Sequence, residues 1–271
     1  VSSAVAAPAT RAPRRFRVEP PTARRLLGLA VLVLWEVLPR TGLIPSLFLP
    51  PLTETIGALL NHAGEYAQHL LFSLYAIAIA MAVACGVGIG AGLLIGSVAP
   101  VRQAVQPLAS GLYAVPLVIL YPLFTAWFGI GAQSKIVFAS IYGLLPCFLG
   151  TMAGVQTIDR HYVTVARSLR ASPWQLLSRV LLPAAIPTVL SAFRIGGALV
   201  IVGIVVAEML TSTEGIGYLI TRNRTLLNSP RVFAGILLVV ALVVGFDALV
   251  RLLEHRTRHW RFSTRSADSA S

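Results

Sequence analysis

Long apolar runs separated by short polar segments dominate the chain. They fall at about residues 26–43, 70–98, 105–128, 136–155, 188–210 and 232–253. Each approaches the ~20 apolar residues that a helix needs to cross a bilayer. None shows the polar–apolar alternation of a β-barrel strand. The pattern predicts an all-α membrane protein with six transmembrane helices. The third run is broken by Pro107, Pro116 and Pro122, and the fourth contains Pro146. The second is dense in small residues (Gly86, Gly88, Gly90, Gly92, Gly96), which lets helices approach closely. Packing is therefore expected of these glycines ahead of any role toward a substrate.

The polar segments differ in kind. Residues 45–68 read as a turn rich in proline (Pro45, Pro50, Pro51) and a short amphipathic helix, with Thr53 as its cap and Ile56, Leu59 and Leu60 on its apolar side. Such a helix is expected to lie along the outer interface. Residues 129–135 read as a turn, and residues 211–230 as a polar loop. The segment 159–196 stands apart, because it carries several arginines and also signals structure. Asp159 can cap a first helix. Ser172, Pro173 and Gln175 announce a second, with a capping serine, proline at the first helical position and glutamine three residues after the cap. Pro183 and Pro187 are expected to stop or kink it. A folded helix–turn–helix between two spans is a candidate docking surface for another protein.

Composition agrees with the membrane reading. The chain is 56% hydrophobic and 12% charged, with a mean hydropathy of +0.79, whereas soluble domains carry about a quarter charged residues. A net charge of +12 suggests nucleic acid in a soluble protein; here the arginines flank spans and set topology, so no nucleic-acid partner is expected. With the N-terminus inside, about 16 of the 22 basic residues fall on the inner side. That bias predicts cytoplasmic N- and C-termini in a bacterial inner membrane. Residues 1–22 and 262–271 read as disordered cytoplasmic tails around a membrane domain at 23–261, whose inner loop spans 157–187. Within the first apolar run, Trp35, Glu36 and Pro39 are followed by no small-residue cleavage site, so that run reads as a span and not as a signal peptide. Cys85 and Cys147 lie inside spans and read as small buried residues. The histidines show no metal-binding spacing, so no metal is expected. No catalytic motif and no glycine-rich nucleotide loop occurs. The chain is therefore expected to have no enzyme activity and no cofactor of its own, and any ATP and Mg must be bound by another chain.

At the inner loop a resemblance becomes specific. The segment is similar to the signature loop of permease subunits of ATP-binding-cassette importers, whose core is Glu-Ala-Ala, three residues, then Gly. Thr164-Val165-Ala166 stands at the triplet, Arg167-Ser168-Leu169 fills the gap, and Arg170 replaces the glycine. The match continues through Ala171-Ser172-Pro173-Trp174-Gln175-Leu176 and Leu182-Pro183-Ala184-Ala185-Ile186-Pro187. Elsewhere Trp127-Phe128-Gly129-Ile130-Gly131, Ala207-Glu208-Met209, Gly215-Ile216-Gly217-Tyr218-Leu219-Ile220 and Arg231-Val232-Phe233-Ala234-Gly235-Ile236 resemble the nitrate/sulfonate/taurine branch. The resemblance covers roughly residues 45–261. It implies a type I ABC importer permease fold, two ATPase subunits, a second permease copy as a homodimer, and an extracytoplasmic solute-binding protein. The implied substrate is a small anion, such as a sulfonate, taurine or nitrate, with another small organic solute as the alternative. A stand-alone channel or secondary carrier would instead show a pore-lining charge series or an inverted repeat, and neither is apparent.

Site candidates follow. Arg167, Ser168, Leu169, Arg170, Ala171, Ser172, Pro173, Trp174 and Gln175 are expected to couple to the ATPase. Glycine at the Arg170 position would supply positive φ, so the first helix is expected to run further or bend differently here. Arg170 either pairs with an acid on the partner or faces solvent. Tyr121, Glu208 and Met209 are candidates for the translocation path. Glu208 admits three readings: a path or gate residue, a helix-end hydrogen-bonding residue, or a partner of Arg222 or Arg224. A carboxylate repels an anionic substrate, which favours a structural or gating role. Arg222 and Arg224 are candidates for anion steering at the mouth. Asp247 is expected to pair with Arg251, and Arg194 to neutralise helix ends or snorkel to headgroups.

Overall fold

The computed structural model describes residues 20–257, apart from the side chains of residues 20–24, 160 and 256–257. The expected tail at 262–271, and all but the last three residues of the one at 1–22, lie outside the described residues. Every regular element among the described residues is helical. The chain divides into two compact units at Thr53.

The first unit holds helix α1, Pro20–Arg40, and the turn that follows. Trp35 Nε1 donates to the Pro50 carbonyl at 3.0 Å. The Glu36 carboxylate accepts the Thr53 backbone N–H at 3.0 Å and the Thr53 hydroxyl at 2.9 Å. Thr53 therefore does not cap α2 (Leu52–Asn61). Its hydroxyl is turned to Glu36, and the glutamate receives an amide of the first turn.

In the second unit, α3 (Ala63–Ser97), α6 (Ala132–Gln156) and α9 (Leu182–Leu210) form the core. The glycines of α3 sort by helical face. At Gly88 an added Cβ would lie 2.8 Å from both Cys147 Cβ and the Leu144 carbonyl oxygen, and at Gly92 2.7 Å from the Phe148 carbonyl oxygen. Gly96 faces Met152 and Val155, while Gly86 and Gly90 meet nothing within 4 Å. The spacing of four residues puts the first three on the face against α6. There the free thiols of Cys85 and Cys147 sit 3.3 Å apart.

Several expectations are corrected. The third run is α4 (Ala99–Tyr113), a 3₁₀ turn at Leu117–Leu120 and α5 (Tyr121–Phe128). Its two halves meet at a bend of 73°. The break falls at Pro116 alone: Pro107 stays inside α4, and Pro122 occupies the first turn of α5, where no N–H is needed.

After α7 (Arg160–Ser168) and the short α8 (Pro173–Leu176), a π-helical turn at Leu177–Leu181 leads without interruption into α9. Pro183 and Pro187 do not stop this helix. Pro183 has no N–H for the Arg179 carbonyl, and the widened turn just before it accommodates the missing bond. Residues 211–230 are not simply a loop: they contain α10, Ile216–Thr225, ahead of α11, Ser229–Thr257.

Among the described residues, four helices are long and apolar enough to cross a membrane, or five if the bent pair is one span. The expected count of six is not reached. In α1 the apolar run between Arg25 and Glu36 extends only about 15 Å at 1.5 Å per residue, roughly half a bilayer core.

Candidate functional site

The loop between α6 and α9 is held by contacts within a few residues of each other. Asp159 Oδ1 accepts the His161 N–H at 2.8 Å and starts α7. Ser172 Oγ accepts the Gln175 N–H at 3.2 Å, and Gln175 Oε1 accepts the Ser172 N–H at 2.9 Å, a complete capping box. Between them the Ala171 N–H donates to the Ala166 carbonyl at 3.0 Å and the Arg170 N–H to the Arg167 carbonyl at 2.9 Å. These are the paired bonds of a Schellman turn.

Arg170 sits at the left-handed position of that turn, with φ of +54°. The expectation that arginine would lengthen or bend α7 is thus corrected. The helix ends after Ser168, and Arg170 adopts the glycine conformation because the two flanking caps and the paired bonds outweigh a cost of about 1–2 kcal/mol.

Among the described side chains of α7 only Ala166 is buried, whereas Leu169 and Trp174 are 78% and 71% exposed. Arg167, Arg170 and Arg179 are exposed, and residues 160–182 contain no acid. The loop therefore presents two large apolar side chains among positive charges. Through the π-helical turn, its second helix is continuous with the 38-residue helix Pro173–Leu210.

At the opposite end of the same helix lies a second polar constellation. Glu208 is 2% exposed. Ser73 Oγ of α3 lies 2.9 Å from both of its carboxylate oxygens, and the Gly217 N–H donates to Oε2 at 3.0 Å. The Ile216 N–H donates to Ser73 Oγ at 2.9 Å, and the Gly215 N–H to His69 Nδ1 at 3.0 Å. The buried donors at the start of α10, which have no partner within their own helix, are thus received by side chains of two other helices, at the end where the helix dipole favours negative charge.

Gly215 and Gly217 make this approach possible. Gly215 has φ of +103°, and an added Cβ there would run into the Glu208 carboxylate. At Gly217 it would lie 2.7 Å from Glu208 Cβ. The segments Ala207-Glu208-Met209 and Gly215-Ile216-Gly217, noted separately in the sequence, are one structural node.

Of the three readings of Glu208, the geometry realises hydrogen bonding at a helix end. It does not realise pairing with Arg222 or Arg224: Arg222 Nη1 instead meets Glu65 Oε1 at 3.1 Å, beside an Arg231–Glu65 pair. Arg224 is exposed. Met209 is half-buried against the cluster of Tyr66, Ile216 and Leu219, and its carbonyl accepts from Thr221 Oγ1 at 3.1 Å. Tyr121 is fully buried, edge-on to Phe138 with ring centroids 5.1 Å apart. Asp247 joins Arg251 at 2.6 Å, as expected, and also Arg194 at 2.5 Å.

The sequence reading missed Ser73 and His69. Two polar residues four apart inside an apolar run were the available signal. It also passed over Lys135, which is 7% exposed and donates to Ser212 Oγ at 2.8 Å.

Comparison with known proteins adds the remaining line of evidence. The family described as binding-protein-dependent transport system inner membrane component matches residues 84–259. The chain is 32% identical over 240 residues to the putative aliphatic sulfonates transport permease protein SsuC of Bacillus subtilis, covering 88% of this chain and 87% of that protein. It is 32% identical over 259 residues to the taurine transport system permease protein TauC of Escherichia coli, covering 91% and 94%. A solved inward-facing structure of the MetNI methionine ABC transporter shares the fold, with a TM-score of 0.65 at 17% identity over 73% of this chain and 98% of that one. The match across the core helices, and relatives at this identity along nearly the whole length, account for both the fold and the loop. The chain belongs to the family of binding-protein-dependent transport system inner membrane components, as a multi-pass ABC importer permease of the inner membrane.

Proposed function

We propose that this permease moves a small solute inward by alternating access, driven by two ATPase subunits that bind ATP and Mg and grip the loop at residues 157–187. The observation that carries this reading is the unbroken connection from α8 through the π-helical turn into α9. A helix seated in a partner by Leu169 and Trp174 would transmit displacement directly to a span, because no flexible joint lies between them. Arg167 and Arg170 would meet acidic groups on the partner, since residues 160–182 hold no acid to neutralise them.

A second copy of this chain would complete the path, an extracytoplasmic binding protein would deliver solute, and both termini would be cytoplasmic. The arginine distribution supports that orientation. In it, α1 would supply a sixth span, its short apolar run accommodated by Arg25 and Arg40 snorkelling toward the two interfaces and by local thinning of the bilayer. The relatives' names favour a sulfonate or taurine as solute. Relatives of similar identity named for formylaminopyrimidine and riboflavin transport keep another small organic solute as the second reading. Glu208 and Met209 would hold the gate region at the α10 end through their hydrogen bonds with Ser73, Gly217 and Thr221. Tyr121 would act behind the path by fixing α5 against α6. Arg224 would carry most of any steering of anions, because Glu65 already engages Arg222.

Reconstitution with the co-purifying ATPase tests the reading. Arg170→Glu and Trp174→Ala should still insert into membranes but should uncouple ATP hydrolysis from uptake of labelled taurine. Normal coupling in both variants would sink the docking role.

A further inference from the structure

A cavity of about 490 Å³ opens at the α10 end of the bundle, between α3, the α5–α6 turn and the segment that follows α9. That volume suits a small ligand. Its walls include Leu71, Phe72 and Tyr75, and Lys135 lines it from the first turn of α6.

Lys135 is the only lysine of the chain, and it is 93% buried by the complement of its 7% exposure. Its ammonium has three N–H donors, and among the described residues Ser212 Oγ is its sole hydrogen-bond acceptor. That hydroxyl is itself committed: it also accepts the Glu214 N–H at 3.1 Å and donates to the Glu214 carbonyl at 2.6 Å. Glu208, the nearby buried acid, takes its hydrogen bonds from Ser73 and Gly217, so it and Glu214 act on Lys135 only through space. No carboxylate of the described residues forms an ion pair with Lys135. A buried ammonium with two uncommitted donors is costly unless a counter-charge joins it.

The start of α6 adds to the same field. Its N-cap is Gly131, which has no side chain to offer, and Ser134 Oγ donates back to the Gly131 carbonyl at 3.1 Å without accepting an amide. Gly131 and Ala132 both line the cavity, so the positive end of a 25-residue helix opens on it beside the ammonium. On the other side, the exposed residue Glu214 stands among the lining residues. A single buried cation, an apolar wall and a carboxylate together favour one negative charge over two.

We infer that the cavity beside Lys135 is a binding site for a small monovalent oxyanion with a short apolar tail, which the ammonium and the start of α6 hold while the wall of α3 packs the tail. The ligand is of the class proposed above as solute, so the site rests on that reading and deepens it, while its binding does not need the ATPase. A failure of coupling at the α7–α8 loop therefore leaves it standing, and its own failure leaves the loop reading intact.

The test is equilibrium dialysis of labelled methanesulfonate against the full chain in nanodiscs of phosphatidylcholine. Saturable binding is expected in the millimolar range or tighter, displaced by nitrate and at least tenfold less well by sulfate. Lys135→Gln should weaken it at least tenfold, and Lys135→Arg should stay within about threefold of the parent. Ala132→Trp should also abolish it, because it fills the mouth from an exposed position and leaves Lys135 in place. A repeat in nanodiscs containing phosphatidylglycerol distinguishes the sources of the oxyanion: unchanged affinity identifies a free solute, and loss by competition identifies a lipid headgroup in the same site. Absence of saturable binding in the parent chain up to 10-millimolar order, or parental affinity in both Lys135→Gln and Ala132→Trp, would overturn the proposal.

Discussion

Two of the non-spanning helical segments of this permease are built in opposite ways. Both the loop after α6 and the segment after α9 end a helix in a Schellman turn with a non-glycine residue at positive φ: Arg170 at +54° and Leu227 at +55°. In the second case the Asn228 N–H donates to the Asn223 carbonyl at 2.9 Å and the Leu227 N–H to the Arg224 carbonyl at 3.1 Å. The starts of the helices differ. In the α7–α8 loop every cap comes from a residue within a few positions. In α10 the caps come from His69, Ser73 and Glu208, on helices distant in sequence or preceding the turn. A segment that satisfies its own backbone can move as a unit without losing hydrogen bonds. One capped by its neighbours is tied to them, and moving it exposes buried donors, each at about 1–3 kcal/mol.

The largest expected effect lies in the tied segment. Glu208→Ala leaves Ser73 Oγ and the Gly217 N–H without their acceptor, so the described fold should lose about 3 kcal/mol. Thermal denaturation in detergent should show the loss, and amide exchange should rise first at residues 215–217. Glu208→Gln keeps one acceptor oxygen and should lose less than half as much. Equal effects of the two substitutions would show that burial, and not capping, governs this node.

Gly217→Ala comes next. Its Cβ would stand 2.7 Å from Glu208 Cβ and 3.0 Å from the Met209 backbone nitrogen, which should cost about 2 kcal/mol. Gly90→Ala, in open space on α3, should instead stabilise by about 0.5–1 kcal/mol through helix propensity. Melting of the two variants side by side separates close packing from composition. A loss in Gly90→Ala would place an unseen contact on that face.

Arg170→Gly removes the left-handed strain at a turn that is otherwise complete, and should stabilise by about 1 kcal/mol. Leu227→Gly should do the same at the other turn. If Arg170→Gly destabilises instead, its side chain holds the loop in a way that exposure does not reveal.

The smallest effect on stability belongs to the exposed loop surface. Leu169→Asp and Trp174→Ala should change the melting free energy by no more than about 0.5 kcal/mol, while changing transport in the reconstituted assembly. A large loss of stability from either would mean that the loop is packed against its own chain, which would weaken the comparison with α10.

What was legible follows the same division. Asp159, Ser172, Pro173 and Gln175 announced their helices correctly because a capping oxygen and the amide that donates to it lie within three residues. The Asp247–Arg251 pair was legible for the same reason, at a spacing of four. Thr53 was misread, because a glutamate from the preceding helix took its amide. Arg170 was misread, because residue preference was weighed without the paired bonds around it. Residues 211–230 looked like a loop because α10 has too little apolar character to show a helical face until α3, α9 and α11 surround it. Pro183 looked like a stop because a π-helical turn that accommodates it leaves no sign in residue order, and Pro187 because α9 carries a proline in its interior.

By itself, then, the order of residues determined that this chain lives in a membrane, where its long apolar runs fall, and that a capped, basic helical loop interrupts them. These are local matters of hydrophobic length and of hydrogen bonds closed within one turn. Only the tertiary structure decided which glycines of α3 meet α6, that Glu208 receives the start of α10 together with Ser73, that Lys135 is left with one acceptor beside a cavity, and that α8 runs unbroken into α9. Each of these depends on which helix faces which. That is set by packing among many side chains at once, because in an apolar interior a polar group must find its partner wherever the fold places one.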